Sequence, residues 1–191
     1  MLDSKNIFIG GIMGVGKSTT SLILQKRIND STIINIGNIS CKIASDSFSA
    51  DSIETLQKEK LDYCQNKTAD HTLYLISKEM TKYCFLEGHF VLGGLTRDDY
   101  RMPEFFFKKI NLKLIILLIA NEKTIKKRVS QNIQKKRPNL ILDSLEYYLD
   151  LEKKHAYYIA NLLNINIVEI ENNYSSEMHL MKNIEKIFDL L

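Results

Sequence analysis

The chain has 191 residues, and 45% of them are hydrophobic, which is enough to form one buried core without disulfides or a structural metal. Its 26 Lys and Arg residues against 23 Asp and Glu give a net charge of +3, too small to indicate a nucleic-acid surface by itself. The cysteines, Cys41, Cys64 and Cys84, form neither a closed disulfide set nor a zinc site, and no apolar run is long enough to cross a membrane. We therefore expect one domain over residues 1–191, soluble and cytoplasmic, with no leader segment.

The first predicted elements surround a glycine-rich stretch, IFIGGIMGVGKSTT, that begins at Ile7. It fits the pattern G-x-x-x-x-G-K-[ST], with an apolar strand leading in and a helical pattern leading out. In such a loop the backbone N–H groups and the helix N-terminus hold phosphates, Lys17 reaches the β- and γ-phosphates, and the Ser18 hydroxyl ligates Mg²⁺. The predicted ATP-binding residues are Gly11, Gly14, Val15, Gly16, Lys17, Ser18 and Thr19.

Short apolar runs then alternate with helical patterns along the rest of the chain. The predicted strands are NIFIG, STIINI, CFLEGHFVL, LKLIILLIA and INIVEI. Because these runs are apolar nearly throughout, they are typical of parallel strands covered on both faces, and we predict a three-layer α/β/α fold with five parallel strands. The predicted helices include 52–83, 175–191 and one whose apolar stripe is Leu145, Leu149, Ala156, Ile159 and Leu163.

Two acids are candidates for the metal and catalytic site. Glu87 follows the third strand, together with His89, and Glu122 follows the fourth strand. Ligands of open α/β folds bind at the carboxyl edge of the sheet, so either acid is suitably placed to hold a Mg²⁺-bound water or to orient an acceptor. Asn121 stands where the fourth-strand pattern usually has Asp, and we favour Glu87 as the catalytic and metal residue. His89 serves either in acceptor binding or in packing.

Basic residues form the next feature. The segment from Lys123 to Asn139 contains seven cations and no acid. Such a run is either a solvated helix face or a cationic flap over the transferred phosphoryl group, in which Arg128 and Arg137 would be catalytic. Arg97 and Arg101 lie in the loop after the third strand, where they either meet the acceptor or belong to a polar loop.

These motifs together resemble the P-loop nucleoside monophosphate kinases, most of all the archaeal-type adenylate kinases and related small kinase-like ATPases, over most of the chain. The similar stretches are GIMGVGKSTT, INIGNISCKIA, FLEGHF, IKKRVSQNIQKKRP and LNINIVEIENN. The resemblance implies an acceptor-binding helical region near 37–83, a lid near 128–141, and acceptor contacts from Gly37, His89, Arg97 and Arg101. Two departures concern the acceptor: Glu87 replaces the usual Asp, and 52–80 contains no arginine.

The sequence therefore predicts an ATP- and Mg²⁺-dependent kinase acting on a nucleotide or a similar small acceptor. The alternative is a regulatory ATPase that binds ATP but transfers phosphate only slowly to water. A GTPase is disfavoured because EGHF and NEKT differ from the switch and guanine-reading motifs. A nucleic-acid partner is disfavoured, since the basic segment lacks interleaved aromatic residues for base stacking. The sequence is compatible with a monomer and with an oligomer.

Overall fold

Strands and helices alternate along the chain in this computed structural model, which describes residues 4–51, 53–92, 99–131, 144–173 and 177–188. The strands are Lys5–Gly10 (β1), Ser31–Asn35 (β2), Tyr83–Glu87 (β3), Val91–Leu92 (β4), Tyr100–Arg101 (β5), Leu112–Ile119 (β6) and Asn166–Glu171 (β7). The helices are Lys17–Arg27 (α1), Ile36–Phe48 (α2), Lys58–Glu79 (α3), Glu104–Lys109 (α4), Glu122–Gln131 (α5), Leu145–Leu163 (α6) and Glu177–Phe188 (α7). A short 3₁₀ turn, Ile53–Thr55, precedes α3.

The main sheet has five strands in the order β2-β3-β1-β6-β7, and every pairing is parallel. This confirms the predicted five-stranded parallel sheet. The chain leaves β1 toward one side of the sheet through β2 and β3, and it later builds β6 and β7 on the other side. The strand order thus changes direction at β1, and ligands of open α/β sheets bind at such a switch point, beyond the carboxyl ends of the strands.

Alternate residues of the central strand enter two separate cores, one on each face of the sheet. Ile7 and Ile9 pack with residues of α1 and α7 on one face, including Leu24 and Ile184. Phe8 points to the other face, where its ring lies 4.8 Å from the ring of Phe90 and where α4 and α6 contribute to the core. Both faces of the central strands β1, β3 and β6 are therefore covered, which explains why these strands are mostly apolar.

The structure differs from the prediction after the third strand. The apolar run CFLEGHFVL is not one strand, because β3 ends at Glu87 and the last two residues form a hairpin with β5. At Gly88 the chain passes so close to Phe8 that a Cβ would lie 2.7 Å from its ring. The helix α4, after Pro103, was not predicted.

The described helices also bear on membrane insertion. None of them combines the length and the apolar composition that crossing a bilayer requires.

Candidate phosphate-binding site

The glycine-rich loop connects β1 to α1 at the carboxyl edge of the sheet. Gly11 has φ 136° and Gly16 has φ 102°, a region that residues with a side chain rarely adopt. A Cβ on Gly11 would lie 2.5 Å from the carbonyl oxygen of Leu118, and one on Gly16 would lie 2.4 Å from Nδ2 of Asn172. The loop is therefore packed against β6 and the end of β7, and both glycines are required for its shape.

The N-terminus of α1 follows this loop directly. Gly16 precedes the helix and has no side chain that caps it, and the first turn contains no acid. Ser18 and Thr19 in that turn are exposed. Uncapped N–H groups and the positive end of the helix dipole together favour an anion at this position. The geometry suits the phosphate-binding role predicted for Gly14 to Thr19.

Lys17 lies across the loop. Its Nζ donates to the carbonyl oxygens of Gly11 at 2.5 Å and Ile12 at 3.1 Å, and it lies 3.4 Å from Nε2 of His89. His89 is half-buried in the loop that follows β3. Two predicted site residues that are 72 positions apart are thus brought together.

Glu87 connects the end of β3 to the start of α1. It is 4% exposed, and its Oε2 accepts hydrogen bonds from Ser18 Oγ at 2.8 Å and from Asn35 Nδ2 at 3.1 Å. Its Oε1 accepts a hydrogen bond from Ser21 Oγ at 2.5 Å. Asn35 is the direct partner of Glu87 in the β2–β3 register, and Ser21 lies one turn beyond Ser18 on α1. Neither Ser21 nor Asn35 was predicted to belong to the site, although a polar side chain at the end of β2 was a visible signal.

The donor atoms around Ser18 fit a hard divalent cation. A hydroxyl and a carboxylate are oxygen ligands, and Mg²⁺ bound to phosphates needs only one or two protein oxygens. Within the ranges that the structure describes, no cluster of three or more His, Cys, Asp or Glu side chains is arranged to hold a metal by itself. The competing acid, Glu122, is exposed in the first turn of α5, with its carboxylate 2.6 Å from Nζ of Lys126.

A second carboxylate, which was not predicted from the sequence, lies behind the loop. Glu152 of α6 is 2% exposed, and its Oε1 accepts the N–H groups of Gly11 at 3.0 Å and Phe90 at 2.9 Å. Its Oε2 accepts the N–H group of Val91 at 2.8 Å. Burial raises the pKa of Glu152 from 4.5 to about 7, while the three N–H groups and the charge of Lys17 act in the opposite direction.

Arg128 reaches the other side of the same loop from α5. Its guanidinium lies 3.3 Å from the carbonyl oxygen of Gly14, 3.4 Å from that of Val15, and 3.3 Å from Oδ1 of Asn172. Asn172, which is buried, donates in turn to the carbonyl oxygen of Val15 at 2.7 Å. The role predicted for Arg128 over the transferred phosphoryl group stays a prediction. Arg137 and most of the predicted lid lie outside the described residues.

The residues predicted to contact the acceptor belong to different elements of the fold. Gly37 is in the first turn of α2, where a Cβ would lie 3.4 Å from Oδ1 of Asn35. Arg101 is exposed on β5, and its electrostatic neighbours Tyr147 and His155 belong to α6. Arg97 lies outside the described residues, so contact of these side chains with an acceptor stays a prediction.

Known proteins share this fold at low sequence identity. TT1252 from Thermus thermophilus is 14% identical, with a TM-score of 0.62, and the match covers 98% of both chains. The shikimate kinase from Bacteroides thetaiotaomicron is 14% identical, with a TM-score of 0.55 and 97% of both chains covered. For the shikimate kinase from Acinetobacter baumannii in complex with shikimate the identity is 14% and the TM-score 0.56, covering 99% of this chain and 96% of that one.

Sequence comparisons give no closer assignment. No protein-family model matches the chain, and a search of curated proteins found no match. The more specific resemblance to adenylate kinases therefore stays a prediction. The structural comparisons establish that the chain shares the fold of these three proteins, two of them shikimate kinases, over nearly its whole length.

Proposed function

We propose that the protein is an ATP-dependent small-molecule kinase that transfers the γ-phosphoryl group of Mg²⁺-ATP to a small acceptor, with a nucleoside monophosphate as the preferred acceptor. The observation that carries this proposal is the 2.8 Å hydrogen bond from Ser18 to Glu87. It brings the hydroxyl of the residue after a phosphate-loop lysine next to a buried carboxylate at the end of the neighbouring strand, and P-loop enzymes use a hydroxyl and an acid of this kind to hold Mg²⁺ for phosphoryl transfer.

On the donor side, the chain supplies its own phosphate contacts. The N–H groups between Gly14 and Ser18 would hold the β- and γ-phosphates at the N-terminus of α1. Lys17 would exchange the carbonyl oxygens of Gly11 and Ile12 for phosphate oxygens, since a charged phosphate is the stronger acceptor.

Ser18 and Glu87 would hold Mg²⁺, with the Glu87 carboxylate binding either the ion or one of its waters. When bound, the ion neutralises charge on the phosphate oxygens during transfer. Ser21 and Asn35 fix the orientation of the Glu87 carboxylate through its remaining lone pairs.

Support for a nucleoside monophosphate as acceptor comes from the carboxylates beside the loop. Both oxygens of Glu87 and both oxygens of Glu152 already accept hydrogen bonds. A hydroxyl acceptor needs a base to take its proton, whereas a phosphate monoester is already ionised near neutral pH. A monophosphate already has an ionised oxygen that can attack, so it does not need Glu87 or Glu152 as a base, and both carboxylates can keep their hydrogen bonds.

A hydroxyl acceptor is the second candidate. It is favoured by the similarity to shikimate kinases, one of them in complex with shikimate. In that case we would assign the role of proton acceptor to His89, whose Nε2 lies 3.4 Å from Lys17 Nζ. A regulatory ATPase is the third reading, and it would bind ATP without acceptor-stimulated turnover.

The test is ADP formation from Mg²⁺-ATP by the purified protein with a panel of nucleoside monophosphates, nucleosides and shikimate. Lys17→Ala provides the background rate, and the phosphorylated product is identified by mass spectrometry. A stoichiometric product from one monophosphate supports the preferred reading. A product from a nucleoside or shikimate selects the second candidate, and ATP binding without stimulation by any acceptor contradicts the kinase proposal.

A further inference from the structure

Glu152 has no part in the proposed ATP or metal contacts, yet it contacts two loops of the site. Its three hydrogen-bond donors are backbone N–H groups, and they lie 141, 62 and 61 positions away in the sequence. Gly11 is the first residue of the phosphate loop. Phe90 follows directly after His89 in the loop beyond β3, and Val91 is the first residue of β4. One carboxylate, held on a third element, thus links the loop for ATP to the loop that carries His89.

The three N–H donors favour the ionised carboxylate over an amide or an apolar side chain. A buried carboxylate is costly unless hydrogen bonds or a cation compensate for its lost hydration. Among the described residues, none forms an ion pair with Glu152, so the three N–H groups are its direct partners. A glutamine has one acceptor oxygen, and its NH₂ group would face one of the N–H donors. An apolar side chain would leave all three donors unsatisfied.

Both loops are tightly packed on their own sides. Gly11 is fixed against β6, since a Cβ there would lie 2.5 Å from the carbonyl oxygen of Leu118. The ring of Phe90 lies 4.8 Å from Phe8 and 5.4 Å from Phe107, in the core on one face of the sheet. The two loops also contact each other directly, since Lys17 Nζ lies 3.4 Å from His89 Nε2 and Phe90 packs on Phe8 of the strand that leads into the phosphate loop. The Glu152 carboxylate adds a buried link from a third element, with hydrogen bonds to the backbone on both sides.

We propose that Glu152 is a positioning residue, which sets the placement of the phosphate loop relative to the loop after β3 so that phosphoryl donor and acceptor meet productively. This inference rests on the proposed kinase function. Misplaced reacting groups react slowly even when both substrates are bound, so the loss of Glu152 should lower kcat more than it weakens ATP binding.

The experiment compares Glu152→Gln with Glu146→Gln at mildly alkaline pH. Glu146 is an exposed residue of the same helix, so the control makes the same chemical change without touching either loop. We expect kcat of Glu152→Gln to fall about 10- to 100-fold, with a smaller change in KM for ATP. Amide hydrogen exchange should rise in both 7–16 and 84–92. The control should match the wild type in all three measurements.

A folded Glu152→Gln variant with wild-type kcat overturns the inference, and so does faster exchange without a loss of kcat, because that result describes a purely structural role. If Glu152→Gln does not fold, Glu152→Asp keeps the charge and shortens its reach by one methylene. A folded Asp variant whose kcat is lower than that of the wild type, with a smaller change in KM for ATP, then supports the inference, and wild-type kcat in the folded Asp variant overturns it.

The proposed function can fail separately. If the wild type shows no acceptor-stimulated turnover, the kinase proposal fails, and the link between the loops is judged by exchange and by ATP affinity. Faster exchange in both segments together with weaker ATP binding in Glu152→Gln supports the link. Wild-type values for both overturn it.

Discussion

The Ser18 hydroxyl donates a 2.8 Å hydrogen bond to the Glu87 carboxylate, and this bond joins the first turn of α1 to the end of the neighbouring strand. Glu87 is almost fully buried, so its charge faces the loop and not the solvent. A bound cation between the phosphates and this carboxylate would replace the Ser18 proton as the partner of the negative charge.

Glu87→Gln should therefore lower Mg²⁺-dependent turnover by about 10- to 100-fold, since the amide keeps the shape of the side chain and loses its charge. Turnover is measured as a function of Mg²⁺ concentration, and nucleotide binding is measured separately without the metal. Glu122→Gln is the matched control, because Glu122 is exposed and pairs with Lys126. Equal losses in both variants, or weaker metal-free binding in Glu87→Gln alone, would contradict the metal role.

Two glycines of the predicted site differ in what a methyl group would meet. At Gly16 the backbone has φ 102° and a Cβ would lie 2.4 Å from Asn172, whereas at Gly37 the nearest atom is 3.4 Å away. We expect Gly16→Ala to destabilise the protein by about 1–3 kcal/mol and to abolish ATP binding. Gly37→Ala, in a helix, should leave stability equal or raise it by up to about 1 kcal/mol. Urea denaturation and equilibrium ATP binding check both variants.

The Gly37 variant also tests the predicted acceptor contact. If the acceptor approaches the first turn of α2, a methyl group at Gly37 should raise the acceptor KM while the KM for ATP stays unchanged. An unchanged acceptor KM would remove Gly37 from the substrate-binding residues.

Much of the fold and part of the site could be predicted because local patterns encode them. Buried parallel strands are apolar throughout, and the phosphate loop has a fixed spacing of Gly, Lys and Ser between a strand and a helix. Glu87 followed from its place at a strand end. The β4–β5 hairpin was missed because its apolar residues resemble the end of a strand, and the bend at Gly88 depends on the distant ring of Phe8.

Glu152 shows a different limit. It stands between Leu149 and Ala156 at the spacing of the apolar stripe, so an acid in a buried position was a visible signal. The sequence could not indicate its partners, because these are backbone N–H groups of two remote loops. Asn172 was missed for the same reason: its role depends on the carbonyl oxygen of Val15, 157 positions away.

Asn172 and Gly16 should show coupled effects on stability. Asn172→Ala removes the hydrogen bond to Val15 and leaves a buried carbonyl less well satisfied, which should cost about 1–3 kcal/mol. It also removes the atom that a Cβ at Gly16 would meet, so Gly16→Ala should cost less in that background. A double-mutant cycle by urea denaturation should give a favourable coupling of about 0.5 kcal/mol or more. Additive losses would show that the strain at Gly16 lies in its backbone alone.

The raised pKa of Glu152 predicts how stability depends on pH. The folded state binds the Glu152 proton more tightly than the unfolded state, with a pKa of about 7 against 4.5. The favourable contribution is therefore complete below pH 4.5, is lost as the pH rises toward about 7, and changes little at higher pH. The two pKa values correspond to about 3 kcal/mol of unfolding free energy.

The amide of Glu152→Gln does not titrate. The free energy of unfolding of the wild type minus that of the variant should therefore fall by about 3 kcal/mol across this pH range. Urea denaturation at a series of pH values measures the difference, and subtraction removes the contribution of groups that titrate alike in both proteins. Glu146→Gln should give a constant difference. A constant difference for Glu152→Gln as well would mean that the Glu152 carboxylate titrates equally in the folded and unfolded states, and that its three N–H partners fully offset its burial.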